Sequence, residues 1–175
     1  MPLNQQQIVT RLEALLGGGA VIADPARMGN YLNEPRRRFH ASAVAVALPG
    51  SVEQVQALLG WANDNLVPII PQGGNTGLVG GQVPLRGDEV IVSTTRLDGV
   101  RNVDAAAGHM TLEAGVILEV AQRLADEAGA MFPLYLASQG SARIGGALSS
   151  NAGGVQVLAY GNARELCLGV EVVLP

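Results

Sequence analysis

The residues of this sequence that could do chemistry are glycines and the small polar side chains set between them. Residues 71–81 read PQGGNTGLVGG, with Gly73, Gly74, Gly77, Gly80 and Gly81 and no charged side chain. Such a loop exposes main-chain N–H groups and tolerates left-handed backbone. Successive N–H groups in turn conformations form a concave nest that binds anions, phosphate above all. The predicted chemistry is diphosphate binding by the main chain. A flexible connector is the alternative reading. Pro71, Asn75, Thr76, Leu78 and Val79 weigh against it, because they can pack or bond.

A second cluster covers residues 140–161. Gly140, Gly145, Gly146, Gly153, Gly154 and Gly161 alternate there with Ser141, Ser149, Ser150 and Asn151, and Arg143 is the one charge. Two stretches of this kind predict two walls of one elongated ligand site. The plainer alternative is that Gly145 and Gly146 serve close helix packing.

The two common phosphate motifs are excluded. A P-loop needs Gly-Lys-Ser/Thr at its end, and here Gly81 is followed by Gln82, Val83 and Pro84. A Rossmann fingerprint needs G-x-G-x-x-G opening a helix. This loop spaces Gly74, Gly77 and Gly80 three apart, and Pro84 and Gly87 follow where a helix should run.

No other constellation competes. His40 and His109 are the only histidines, neither lies in a cluster of metal-ligating residues, and no metal is expected. His109 reads as a half-exposed strand residue. The single cysteine, Cys167, rules out an internal disulfide and reads as an inert thiol in an apolar strand. Arg36, Arg37 and Arg38 could meet an anion, although such runs are usually solvated surface.

Composition sets the outer bounds. The 175 residues are 48% apolar and 15% charged, a globular balance. A net charge of −4 argues against a nucleic-acid footprint. The start of the sequence lacks a basic region followed by an apolar run, and no stretch is apolar for the length of a membrane span. A cytoplasmic protein without a signal peptide is the expectation.

The elements that must position the loops can be read from pattern. Asn4 to Leu16 is an amphipathic helix with Ile8, Leu12, Leu15 and Leu16 on one face. Val21 to Ala23 is a short strand, and Asp24-Pro25 starts a helical turn. Ala43 to Leu48, a helix capped by Ser51 and running to Asn65, and Val67 to Pro71 make a βαβ unit. Its short crossover predicts adjacent parallel strands. Ser51 and Gln54 predict a reciprocal capping box. The glycine loop then lies at the carboxyl end of a parallel strand, where α/β folds bind ligands.

Glu89 to Ser93 is a further strand, and Val100 to Asp104 with His109 to Glu113 form a hairpin. Val116 to Ala128 is a second amphipathic helix ended by Gly129. Met131 and Phe132 read as a short strand, and Leu166 to Leu174 as a closing strand. Two α+β lobes follow, the first parallel and the second more antiparallel.

The segments PQGGNTGLVGG (71–81), IGGALSSNAGG (144–154) and YGNARELCLGVEVVLP (160–175) resemble the FAD-binding domain of the vanillyl-alcohol oxidase / para-cresol methylhydroxylase superfamily. Within it the likeness is nearest to the FAD-linked dehydrogenases of D-2-hydroxy acids. The resemblance covers the sequence from about Ala43 to Pro175.

It implies a two-lobed α+β fold of the para-cresol methylhydroxylase type. Residues 1–42 would be a helical extension, 43–99 the first FAD-binding lobe and 100–175 the second. Pro71, Gly73, Gly74, Asn75, Thr76, Gly77, Leu78 and Gly80 would wrap the FAD diphosphate. Pro133, Gly140, Ser141, Gly145, Gly146, Ser150, Asn151, Gly154, Tyr160 and Gly161 would line the other wall, and Val172 would meet the ring system through its backbone.

Relatives with covalent flavin carry His where this sequence has Asn75, so the implied FAD is non-covalent. Two departures are Ala142, where relatives often have Cys, and Ala147, where they often have Asn. The implied reaction is dehydrogenation of a D-2-hydroxy acid with hydride passing to flavin N5. Family enzymes are much longer than this sequence. Their further domain supplies the substrate's cationic clamp, the base and a metal site, so no catalytic residue is assigned here. A small-molecule hydroxy acid is the implied partner, and a homo-oligomer is an allowed state. An inactive binding module of the same fold and a non-flavin nucleotide binder are the alternatives.

Overall fold

The computed structural model describes residues 3–174. The chain divides into two compact units. One runs to Arg96 and takes in the stretch from Val172; the other runs from Leu97 to Glu171.

The first unit opens with helix α1 (Gln5–Leu16). Asn4 accepts the Gln7 N–H, and the Gln7 side chain accepts the Asn4 N–H, both at 2.9 Å. This reciprocal box satisfies two donors the helix start leaves free. Ile8, Val9, Leu12 and Leu16 are buried, and Gly17 ends the helix at φ 85°. Strand β1 (Val21–Ile22), a 3-10 turn capped by Asp24 and the short helix α2 (Gly29–Leu32) follow. Then come β2 (Ala45–Ala47), α3 (Val52–Asp64), β3 (Ile69–Gln72) and β4 (Val90–Ser93).

The sheet order is β1-β2-β4-β3, with β1 antiparallel to β2 and the remaining pairs parallel. The expected adjacency of β2 and β3 is therefore corrected, because β4 lies between them. The physical reason is legible in β4 itself. All four of its residues are buried, as a central strand requires. β3 carries Pro71, which has no N–H for a second ladder and suits an edge. The capping box at α3 is corrected too. Ser51 accepts the Gln54 N–H at 3.3 Å, but the Gln54 side chain takes the Gly50 N–H at 2.7 Å, one residue earlier than the reciprocal pattern. The core joins α1, α3 and the sheet through Leu12, Leu58, Val46, Val90 and Ile91.

The second unit holds the hairpin β5 (Val100–Asp104) and β6 (His109–Leu112), the helix α4 (Leu118–Glu127) and the short helices α5 (Ile144–Ser149) and α6 (Val157–Tyr160). α4 ends as predicted. Gly129 takes φ 73°, its N–H reaches Asp126 O, and the Ala130 N–H reaches Ala125 O. This is the 5→2 and 6→1 pattern of a Schellman cap. Leu118, Leu134, Ala142, Ala147 and Ala163 make the core of this unit.

Three further expectations are corrected. Met131 and Phe132 form no strand. The stretch Leu166 to Leu174 is not a strand either: it has no ladder partner among the described residues, and Leu168, Val170, Val172 and Leu174 are exposed. Cys167 is half-buried rather than a core thiol, with its Sγ 3.4 Å from Gly169 O.

Candidate functional site

In the first unit the carboxyl ends of β3 and β4 carry the glycine loop. Strand geometry delivers Pro71 and Gln72 to its neck, and the Thr94 N–H donates to Gln72 O at 3.0 Å. From there the loop is braced by side-chain amides. Gln72 is 2% exposed, and its Nε2 donates to Tyr31 O at 2.9 Å and to Gln82 O at 3.0 Å. Because Gln82 lies at the far end of the loop, the Gln72 side chain closes its neck. Gln82 Nε2 donates to Gly77 O at 2.8 Å, and the Val83 N–H to Gly80 O at 3.0 Å. Asn75 Nδ2 donates to both Asn30 O and Asn33 O at 3.0 Å.

These braces consume carbonyls. The main-chain N–H groups of residues 73–81 donate to no protein acceptor among the described residues. A run of free N–H donors on a braced loop, with no carboxylate in it, has the donor chemistry a diphosphate needs. The left-handed positions are Asn75 (φ 53°) and Gly80 (φ 85°). Asn is among the non-glycine residues that tolerate this region. Gly73, Gly74, Asn75 and Thr76 are half-buried, whereas Gly77, Leu78 and Val79 are exposed. Gln72 Oε1, Asn75 Oδ1 and Thr94 Oγ1 are buried without partners, all at or just beyond these strand ends. Orphaned polar atoms gathered there fit a polar ligand.

In the second unit the predicted residues sort differently. The span 140–161, expected as loop, holds α5 and α6, so its glycines shape helices as well as turns. Gly145 is a packing glycine: a Cβ there would lie 2.7 Å from Ala114 Cβ, and its N–H bonds Ala114 O at 2.9 Å. Gly146 faces open space. The packing alternative therefore holds for Gly145 and not for Gly146. Gly154 packs on the Tyr135 carbonyl, where a Cβ would fall 2.1 Å from the oxygen. Ser150 Oγ donates to Gly146 O at 2.9 Å, and Asn151 Oδ1 accepts the Arg164 N–H at 3.0 Å.

The turn holding Gly140 and Ser141 satisfies the start of α4, whose Leu118 and Glu119 N–H groups reach Ala142 O and Gln139 O. Gly161 ends α6 at φ 79°. Pro133 is half-buried, while Gly140, Ser141, Ser150 and Tyr160 are exposed. The two departures, Ala142 and Ala147, are both buried in the unit's apolar core, where a polar side chain would have to find a partner. Val172 groups with the first unit and is exposed.

Sequence reasoning missed Gln72 and Gln82 as supports of the loop. One signal was available: a glutamine ending an apolar strand just before a glycine loop has to bond somewhere.

Residues 43–175 match the family described as FAD binding domain. A D-2-hydroxyglutarate dehydrogenase of Xanthomonas citri pv. viticola is 42% identical over 150 residues, covering 86% of this chain and 32% of that protein. A putative mitochondrial D-lactate dehydrogenase of Schizosaccharomyces pombe is 35% identical over 170 residues, covering 97% of this chain and 32% of the other. The chain thus spans about a third of the length of these relatives.

Among solved structures, an alkyldihydroxyacetonephosphate synthase superposes with a TM-score of 0.80 at 23% identity, over 92% of this chain and 32% of that one. A p-cresol methylhydroxylase with substrate bound gives 0.71 at 21%, over 85% and 29%. The fold is the two-lobed α+β FAD-binding fold of the p-cresol methylhydroxylase type. The chain belongs to the FAD binding domain family.

Proposed function

We propose that this chain is the FAD-holding part of a dehydrogenase for D-2-hydroxy acids. The observation that carries the reading is the braced loop of residues 73–81 with its free N–H groups. It is supported by relatives at 35–42% identity named for D-2-hydroxyglutarate and D-lactate. Gly73, Gly74, Asn75, Thr76 and Gly77 would hold the diphosphate by their main chain, with Pro71, Leu78 and Gly80 shaping the loop. In the second unit Gly146, Ser150, Asn151 and Tyr160 would offer contacts, while Gly145 and Gly154 pack on Ala114 and the Tyr135 carbonyl.

FAD, when bound, supplies the acceptor for the hydride that leaves the substrate's α-carbon. This chain's own residues bind and orient the cofactor. None of them is assigned as base, since neither His40 nor His109 belongs to a titratable cluster, and no metal-binding group of three occurs among the described residues. The FAD is non-covalent in this reading, because Asn75 has no ring nitrogen to form a bond and its Nδ2 is already engaged.

No described helix is long and apolar enough to cross a membrane. A cytoplasmic address and self-association belong to the proposal and not to the fold; relatives from rice and Arabidopsis are named as mitochondrial.

The experiment is a thermal melt with and without FAD. A ligand at 100 times its Kd stabilises by about 2.7 kcal/mol. Added FAD should raise the melting temperature, and no shift at saturating FAD would contradict the reading. Turnover of D-2-hydroxyglutarate and D-lactate should appear only with the whole protein that contains this chain.

A further inference from the structure

We propose that residues 30–39, which precede the matched family region, form a clasp that sets the shape of the 73–81 loop before cofactor arrives, with Glu34 as its positioning residue. This rests on the reading of that loop as the FAD diphosphate loop.

The clasp has two jaws. At one, Asn75 Nδ2 is held between Asn30 O and Asn33 O, both at 3.0 Å. At the other, the Phe39 ring fills the space of the side chain Gly80 lacks: a Cβ there would lie 2.6 Å from Phe39 Cζ. The span between the jaws is irregular and carries three adjacent arginines, so nothing in its composition makes it rigid.

Glu34 supplies the rigidity. It is 3% exposed, and its carboxylate accepts main-chain N–H groups from inside its own turn. Arg36 N–H reaches Oε2 at 2.6 Å, and Arg38 N–H bonds Oε1. The Arg37 N–H closes the turn on Glu34 O at 3.0 Å, with Arg37 at φ 48°. One side chain thereby organises the turn that presents Asn33 O to Asn75 and the Phe39 ring to Gly80. A carboxylate satisfies two donors at once and bonds each more strongly than a neutral acceptor. Glutamine offers one acceptor oxygen and turns an NH₂ toward the other donor.

The test uses ¹⁵N relaxation on the FAD-free chain, together with FAD titration followed by flavin fluorescence. In the wild type the amides of 73–81 should be as ordered as those of α3. Glu34→Gln and Phe39→Ala should each lower their heteronuclear NOE while leaving α3 and β4 unchanged, and should weaken FAD binding about tenfold. Glu34→Asp, which keeps the carboxylate, should recover part of both effects. If Glu34→Gln does not fold, Phe39→Ala decides.

Unchanged loop order in the variants, or a loop already disordered in the wild type, would overturn the clasp. A wild-type loop that is ordered and loosened by the variants, on a chain that binds no FAD, would uphold the clasp and refute the cofactor reading instead.

Discussion

The Phe39 ring and Gly80 share one space: a Cβ on Gly80 would come within 2.6 Å of Phe39 Cζ, and Gly80 sits at φ 85°. Position 80 is therefore constrained twice, by backbone conformation and by a ring delivered from a distant turn. Gly80→Ala should cost about 1–2 kcal/mol for the left-handed backbone, plus about 1–3 kcal/mol for overpacking. Urea unfolding measures it. A change within about 0.5 kcal/mol, as at a free surface position, would show that neither constraint operates.

Gly154 makes the parallel case in the second unit. Its missing side chain leaves room for the Tyr135 carbonyl, which a Cβ would approach to 2.1 Å. Main chain cannot swing aside as a flexible side chain can. Gly154→Ala should destabilise by about 1–3 kcal/mol and shift the amide signals of residues 133–136. Gly146→Ala, which meets open space, is the control and should be close to neutral.

Glu34 links stability to pH. Burial alone would raise its pKa; the N–H donors of Arg38, Arg36 and Phe39, with the charge of Arg38, outweigh that and hold it below the ordinary glutamate value. A group whose folded pKa is depressed contributes stability that is present above its unfolded pKa and lost as pH falls through the folded one. The wild type should therefore exceed Glu34→Gln in melting temperature at neutral pH, with the gap closing in acid below the ordinary glutamate range. A gap independent of pH would mean that the carboxylate charge is not what holds the turn.

The proposed non-covalent attachment of flavin rests on Asn75. Its Nδ2 bonds Asn30 O and Asn33 O, and a carboxamide forms no flavin bond. Flavin bound to the native protein should come away on acid denaturation, leaving polypeptide of unmodified mass. A mass increment of one FAD on the denatured chain would refute this.

Much of this architecture was legible because it is local. The shared face of Ile8, Leu12, Leu15 and Leu16 announces α1, Gly129 announces the end of α4, and the two strand-like runs joined by residues 105–108 announce the hairpin. What was hidden is non-local. The insertion of β4 between β2 and β3 depends on which strand can be buried on both edges, and a βαβ spacing says nothing of that. Six glycines within 140–161 masked two short helices, and the first of them has Gly145 packed on Ala114. The apolar alternation of 166–174 suggested a strand, yet a strand exists only with a ladder partner. The glycine loop stood out in the sequence as a candidate anion site. Its braces did not, since Gln72 and Asn75 reach Tyr31, Asn30 and Asn33 across about forty residues.

The central claim is that the free N–H groups of residues 73–81 hold the FAD diphosphate. FAD titrated into the wild type and into Gly74→Val, followed by flavin fluorescence, tests it most directly. Gly74 lies half-buried in the loop, and in the proposed reading a branched side chain there would hinder close approach of a phosphate to the main chain. The account predicts saturable binding to the wild type and loss of binding in Gly74→Val, with helix content by circular dichroism unchanged. Equal affinity of the two proteins for FAD would contradict it.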